Sequence, residues 1–257
     1  MFLAVNAGNT HVVLGVYHGE ELRRVWRISS NPARTEDEYC LLMRQFFRDG
    51  GVEPTAVRGA MISSVVARLT ATLKTALRDL LGIEPLELTH ELDLGFRICY
   101  RDPKDVGADR LANTAGGMER YGAPLIIVDS GTATTFDVLS ADRDYLGGII
   151  LPGMDMSADA LFQKTSLLPR IAIEPPRSVI GNSSQAAIAS GIVWGTGGAV
   201  DRLIVQVRQE IGAPDCRAVA TGGYAEVLTA LSSELSQADP DLTLFGIRKI
   251  WERNAAK

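Results

Sequence analysis

Residues 125–139 read LIIVDSGTATTFDVL. An apolar run, Leu125 to Val128, enters the polar bend Asp129-Ser130-Gly131-Thr132, and a Thr-rich apolar run leaves it. Two such runs joined by a short Gly-bearing bend predict a β-hairpin. Residues 2–17, FLAVNAGNTHVVLGVY, have the same layout: an apolar run from Phe2 to Val5, the bend Asn6-Ala7-Gly8-Asn9-Thr10, and an apolar return from Val12 to Tyr17. Gly8 corresponds to Gly131 and Asn6 to Asp129, at an offset close to half the chain. One unit per half predicts a duplication, with two similar α/β halves whose bends face a shared cleft. The competing reading is chance likeness between two common hairpins.

Helical patterns lie between the repeated units. Residues 35–51 pair a capping Thr35 with Glu38 and carry apolar residues at Tyr39, Leu42, Met43, Phe46 and Phe47 before Gly50-Gly51, the signature of a capped amphipathic helix. AMISSVV (60–66) predicts a buried strand ending at Ser63-Ser64, and Trp26 belongs to a strand. Helices are predicted over 68–82, 108–122, 157–168, 183–212 and 242–254, with Trp194 and Trp251 at packing positions, and a short strand over 217–223. Alternating strands and helices make the class α/β. The domain boundary falls near Arg120-Tyr121-Gly122, giving halves 1–120 and 121–257.

Composition narrows the function classes. The chain has 257 residues, 26 basic against 31 acidic, for a net charge of −5. It has no Lys/Arg block, so a nucleic-acid partner is not expected. Three scattered cysteines, Cys40, Cys99 and Cys216, fit a reducing cytoplasm. No apolar stretch approaches the ~20 residues of a spanning helix, and the N-terminus reads as a first strand rather than a signal peptide. A soluble, cytoplasmic protein with no membrane partner is expected.

Three Gly-bearing bends follow predicted strands, at 6–10, 129–132 and 220–223. Backbone N–H groups and hydroxyls in such bends suit phosphates, and glycine permits close approach. Each bend alone is as well explained by structure; the three in this order suit a nucleotide. In YRDPKDVGADR (100–110), Pro103 and Gly107 break structure and place Asp109 and Arg110 in the first turn of a helix. Asp109 is either a capping acid or the acceptor of a proton from a substrate hydroxyl, with Arg110 neutralising an anion and Tyr100 lining the pocket. LGGIILPGMDMSADAL (146–161) predicts a covering loop, then a Ser-capped helix facing a dimer partner. Ser183 and Ser184 open a helix, as caps or as ligand donors. His11, His18 and His90 lack metal spacing.

The chain resembles the type III pantothenate kinases over nearly its whole length. The likeness is carried by AGNTHVVLGVY, WRISSNPARTEDEY, MISSVV, DPKDVGADRLAN, IIVDSGTATTFDVL, GGIILPGMDMSADAL, LLPRI, ASGIVWG, ATGG and DPDLTLFGIRKIWERN. The resemblance implies a duplicated ribonuclease H-like fold of the actin, hexokinase and acetate kinase kind, working as a homodimer. It implies transfer of the γ-phosphate of ATP to the primary hydroxyl of pantothenate, the first step of coenzyme A synthesis, with potassium or ammonium and with magnesium. By resemblance, Asp109 is the proton acceptor; Tyr100, Gly107, Ala108, Asp109, Arg110 and Ser184 contact pantothenate; and Asp129 holds the monovalent cation. Asn6, Ala7, Gly8, Asn9, Thr10, His11, Val12, Val13 and Thr132 contact ATP.

Two positions depart from the family pattern. Ser184 stands where the family usually has threonine, which keeps the hydroxyl. Asn6 stands where the family has aspartate, which removes a negative charge and turns one acceptor into a donor. The departure at Asn6 leaves a second reading open, a catalytically impaired relative with a binding or regulatory role. A different sugar or acid kinase on the same fold is a third, disfavoured by the GADR stretch.

Overall fold

A computed structural model of the chain describes residues 1–255. The chain forms two compact units, residues 1–119 together with the chain from Leu242 on, and Arg120–Asp241. The first contains β1 (Phe2–Ala7), β2 (His11–His18), β3 (Glu21–Ser29), α1 (Glu36–Asp49), β4 (Gly59–Ser64), α2 (Ala67–Leu81), β5 (Leu86–Glu87), β6 (Arg97–Ile98) and most of α3 (Ala108–Tyr121). The second contains β7 (Leu125–Ser130), β8 (Ala133–Leu139), β9 (Asp144–Pro152), α4 (Met154–Lys164), α5 (Ser184–Glu210), β10 (Arg217–Thr221), α6 (Ala225–Leu231) and β11 (Gln237–Ala238). Helix α7 (Leu242–Asn254) follows.

Strand order proves the repeat. The first unit runs β3-β2-β1-β4-β5, with β1 antiparallel to β2 and parallel to β4. The second runs β9-β8-β7-β10-β11, with β7 antiparallel to β8 and parallel to β10. Each of these five strands of one unit has its counterpart in the other, in the same order and sense. Two chance hairpins would not reproduce the parallel neighbour as well.

Each sheet is two-faced because alternate side chains point to opposite sides. In the first unit, Leu3, Val5, Val12 and Leu14 join a core with Tyr39, Met43 and Phe47 of α1 and Leu69, Leu73 and Leu77 of α2. These helices start and stop where the sequence directs. Thr35 accepts from the Glu38 N–H while Glu38 accepts from the Thr35 N–H at 2.8 Å, and α2 ends on Gly82 at φ 67°. In the second unit, Ile126, Val128, Phe136 and Val138 pack with Val193, Val200 and Ile204 of α5 and Leu228 of α6.

Helix α7 covers the other face of the first sheet. Trp251 stacks on Phe2 with ring centroids 4.6 Å apart, and α7 crosses α3 where Gly116 meets Gly246. A Cβ on Gly116 would lie 2.7 Å from the Leu242 carbonyl oxygen, and one on Gly246 would fall onto that of Ala112. Only glycine permits this approach. The second unit therefore closes at Asp241, and residues 242 onward leave the half expected to span 121–257.

Two local expectations change as well. The glycine-rich segment expected as a covering loop is strand β9, paired with β8 through Phe136↔Ile149 and Asp137↔Gly148. The helix after it starts at Met154 with Gly153 as N-cap, not at Ser157. Gly153 is required there, because a Cβ would strike the carbonyl oxygens of Gly131 and Thr132. Trp251 packs as expected, whereas Trp194 is 40% exposed on α5. No helix among the described residues is long and apolar enough to cross a membrane.

Candidate active site

The β1–β2 bend is held by its own backbone, the Gly8 N–H donating to the His11 carbonyl at 2.9 Å, and Ser30, just after β3, donates through Oγ to the Gly8 carbonyl at 2.5 Å. The β7–β8 bend closes one residue tighter, Gly131 N–H to the Ala133 carbonyl at 3.0 Å. Neither glycine has a positive φ. A Cβ on Gly8 would meet nothing nearer than the His11 oxygen at 3.4 Å, and one on Gly131 nothing nearer than Asp129 Oδ1 at 3.6 Å. The chain itself does not demand glycine at either place. What glycine leaves open is approach from outside, as a phosphate-binding bend requires.

The strand ends beside these bends carry polar pairs. In the parallel register Asn6 of β1 faces Ser63 of β4, and Asp129 of β7 faces Thr221 of β10. Both pairs lie on the sheet face away from the α1/α2 or α5/α6 core, by alternation from Val5 and Val128. Asn6 Oδ1, Ser63 Oγ and Thr221 Oγ1 are buried without a hydrogen-bond partner. Each such atom costs about 1–3 kcal/mol in the free protein. Gly222, at φ 90°, sits against Asp129: a Cβ there would strike Asp129 Oδ1 and lie 2.6 Å from the Ser130 carbonyl oxygen.

Asp109 lies in the first turn of α3. Its Oδ1 accepts from the Arg110 N–H at 2.8 Å. Gly107 makes room for that carboxylate, since a Cβ there would lie 2.6 Å from Asp109 Oδ1 and 3.3 Å from Val65 Cγ1. Val65 follows β4 directly and its N–H donates to the Ala7 carbonyl at 3.2 Å. The start of α3, which bears Asp109, thus borders the end of the sheet that carries Asn6 and Ser63. Loss of solvent pushes the Asp109 carboxyl above its usual range, against the lowering effect of the Arg110 N–H and of the Arg110 charge. A solvent-exposed aspartate at a helix start would instead be lowered by the helix N-terminus.

Within the first unit the structure gathers the 6–13 bend, Gly107, Ala108, Asp109 and Arg110; Tyr100 lies half-buried in the segment after β6. Asp129, Thr132 and Ser184 belong to the second unit. Ser183 is the cap of α5, accepting from the Ala186 N–H at 3.2 Å, which leaves Ser184 exposed in the first turn. His11 opens β2, exposed. No group of three or more His, Cys, Asp or Glu among the described residues could hold a metal. An open groove of about 320 Å³ at the end of α5, lined by Val205, Arg208 and Gln209 among others, contains none of these residues.

The family model for type III pantothenate kinase matches residues 2–206. A type III pantothenate kinase of Anaeromyxobacter sp. (strain Fw109-5) is 44% identical over 255 residues, 99% of this chain and 100% of that protein. The chain belongs to the type III pantothenate kinase family. Solved structures place the fold of this type III pantothenate kinase chain more widely. A putative Baf family transcriptional activator from Campylobacter jejuni is 18% identical, with TM-score 0.61 over 99% of this chain and 100% of that one. An inorganic polyphosphate/ATP-glucomannokinase from Arthrobacter sp. strain KM is 12% identical, with TM-score 0.51 over 98% and 99% of the two chains. With the repeated strand order, these establish the duplicated ribonuclease H-like fold.

The sequence gives Ser63 no role and places Thr221 only within the third Gly-bearing bend. Their signal is the register itself, which pairs each with a polar residue near the end of the neighbouring strand.

Proposed function

We propose that this chain phosphorylates pantothenate on its primary hydroxyl with ATP as phosphoryl donor, the first step of coenzyme A biosynthesis. The observation that carries the reading is Asp109, held at a helix start by Gly107 and Arg110 with its carboxyl raised by burial. The regulatory alternative gains no observation in its favour.

In this reading the backbone of residues 6–13 cradles the phosphates of ATP. Tyr100, Gly107, Ala108 and Arg110 hold pantothenate, and Arg110 supplies positive charge beside an anionic substrate. The pantothenate hydroxyl oxygen forms a bond to the γ-phosphorus as the bond to the β-phosphate oxygen breaks and ADP leaves. Asp109 takes the hydroxyl proton. Because such transfers pass through a loose transition state, the aspartate orients the nucleophile early and accepts its proton late.

Magnesium, bound with ATP, would neutralise charge on the β- and γ-phosphates. The first unit suits a hydrated ion: Asn6 Oδ1 and Ser63 Oγ are neutral buried oxygens without partners, and magnesium keeps several of its waters. For the monovalent cation, Asp129, Thr221 Oγ1 and the Ser130 carbonyl beside Gly222 form an oxygen-rich setting that a Cβ at 222 would fill. Potassium or ammonium fits that donor set.

A coupled assay of ADP release tests the reading. Release is expected to depend on pantothenate and to fall when sodium replaces potassium. ADP release indifferent to pantothenate would count against a pantothenate kinase.

A homodimer belongs to the same proposal. Helix α4 of the second unit exposes Met156, Leu161 and Phe162, with Phe162 44% exposed. Apolar side chains in such number on one helix are the kind that oligomer interfaces bury. Phe162→Glu is expected to shift the sedimentation mass from two chains to one. A wild-type mass of one chain would remove the dimer.

A further inference from the structure

Ser63, the penultimate residue of β4, is fully buried at 0% exposure, with no partner for its hydroxyl. The β1–β4 register sets it beside Asn6, whose Oδ1 is equally unsatisfied. An alanine would fill this place without leaving a polar atom stranded. The chain instead carries a stranded hydroxyl at this register position in both units, Ser63 in one and Thr221 in the other. Buried polar atoms without partners in a free site are satisfied when something arrives.

What arrives must donate. Asn6 Oδ1 can only accept, and a serine hydroxyl can rotate so that its lone pairs face a donor. Both oxygens are neutral, so together they would bind a bare divalent ion poorly, since that wants charged ligands. Water polarised by a divalent cation is a strong donor and asks only for acceptors. We propose that Ser63 is a positioning residue for metal-bound ATP: its Oγ and Asn6 Oδ1 accept hydrogen bonds from the water shell of the divalent cation that enters with the nucleotide. This rests on the assignment of the 6–13 bend to the phosphates. In a chain with no carboxylate at position 6, Ser63 supplies the second acceptor that the single amide lacks.

The test is calorimetric titration of ATP into the full-length protein, with Mg²⁺ and separately with EDTA. Ser63→Ala is expected to weaken Mg·ATP about tenfold, the scale of one charge-assisted hydrogen bond, while metal-free ATP changes less than about twofold. The same variant should raise the Tm of the nucleotide-free protein, because a stranded hydroxyl has gone. Ser63→Thr, which keeps the hydroxyl, should bind Mg·ATP far more tightly than Ser63→Ala. Equal weakening with and without metal, or no weakening, overturns the role of Ser63 while the nucleotide site stands. A lowered Tm with both affinities weakened would make Ser63 merely structural and also overturn it. Wild-type protein that binds ATP in neither condition removes the phosphate bend itself, and this proposal with it.

Discussion

Asp109→Asn is expected to lower kcat by about 10³-fold, within the range that a positioned general base supplies, while Kd for Mg·ATP stays within about threefold. The amide keeps the shape and can still accept from the Arg110 N–H, now made at 2.8 Å. What it loses is the capacity to take a proton. Stability supplies an independent check with a definite sign. Burial raises the Asp109 carboxyl above its unfolded value, so between the two values the folded state binds more protons than the unfolded one. Stability therefore falls as pH rises through that window. Asp109→Asn should then raise the Tm at neutral pH and lose that advantage in acid. In the wild type, kcat/KM should fall in acid as Asp109 protonates, starting at a higher pH than for an ordinary carboxylate. Full turnover in Asp109→Asn would dismiss Asp109 as the proton acceptor and leave it a structural acid.

Such a variant, more stable and nearly inactive, is the usual outcome where a site keeps a charge that folding alone would not tolerate. The same tension reads through both strand ends. Asn6 and Ser63 in one unit and Thr221 in the other leave buried oxygens unsatisfied, and Gly8 and Gly131 keep space that their own backbones do not need.

How far these features could be read in advance depends on their range along the chain. The duplication was legible because it is local: an apolar run, a Gly-bearing bend and a second apolar run are contiguous at 2–17 and at 125–139. Thr35 with Glu38, and the helix over 242–254, were legible for the same reason. Strand β9 was not, since Gly147 and Gly148 hide the alternation that marks a strand, and pairing with β8 supplies what propensity lacks. The unit to which α7 belongs was not legible either. It is decided by Gly246 meeting Gly116, two glycines that look unremarkable until their helices cross. Ser63 stands beside Asn6 only through a parallel pairing, and no local pattern announces which residues a parallel register brings level. The GADR stretch marked Asp109 as a residue of interest; the loss of solvent around its carboxyl needed the folded chain.

Asn6→Asp is the second large effect, and its direction is opposite: kcat with Mg·ATP is expected to rise by about tenfold to a hundredfold. A carboxylate at the end of β1 would add a negative charge where a cation neutralises the transferring phosphoryl group, and charge-matched contacts at such centres are worth about 10²–10³ in rate. The lower figure applies because Ser63 and the amide oxygen already offer two acceptors at this place. The free protein should respond in the other sense. A carboxylate replacing Asn6 Oδ1, which is buried and has no partner, would have its pKa raised by loss of solvent. Its ionised form would then cost stability above the unfolded pKa, so Tm should fall relative to wild type as pH rises from about 4 to 7. Mg·ATP should close that gap, because a ligand that favours the folded state returns stability in proportion to its affinity. Both signs follow from one cause, a charge unwelcome in the empty site and needed in the filled one. An unchanged kcat together with a lowered Tm would mean that the amide already does all that position 6 contributes, and that the loss of the charge is of no consequence for phosphoryl transfer in this chain.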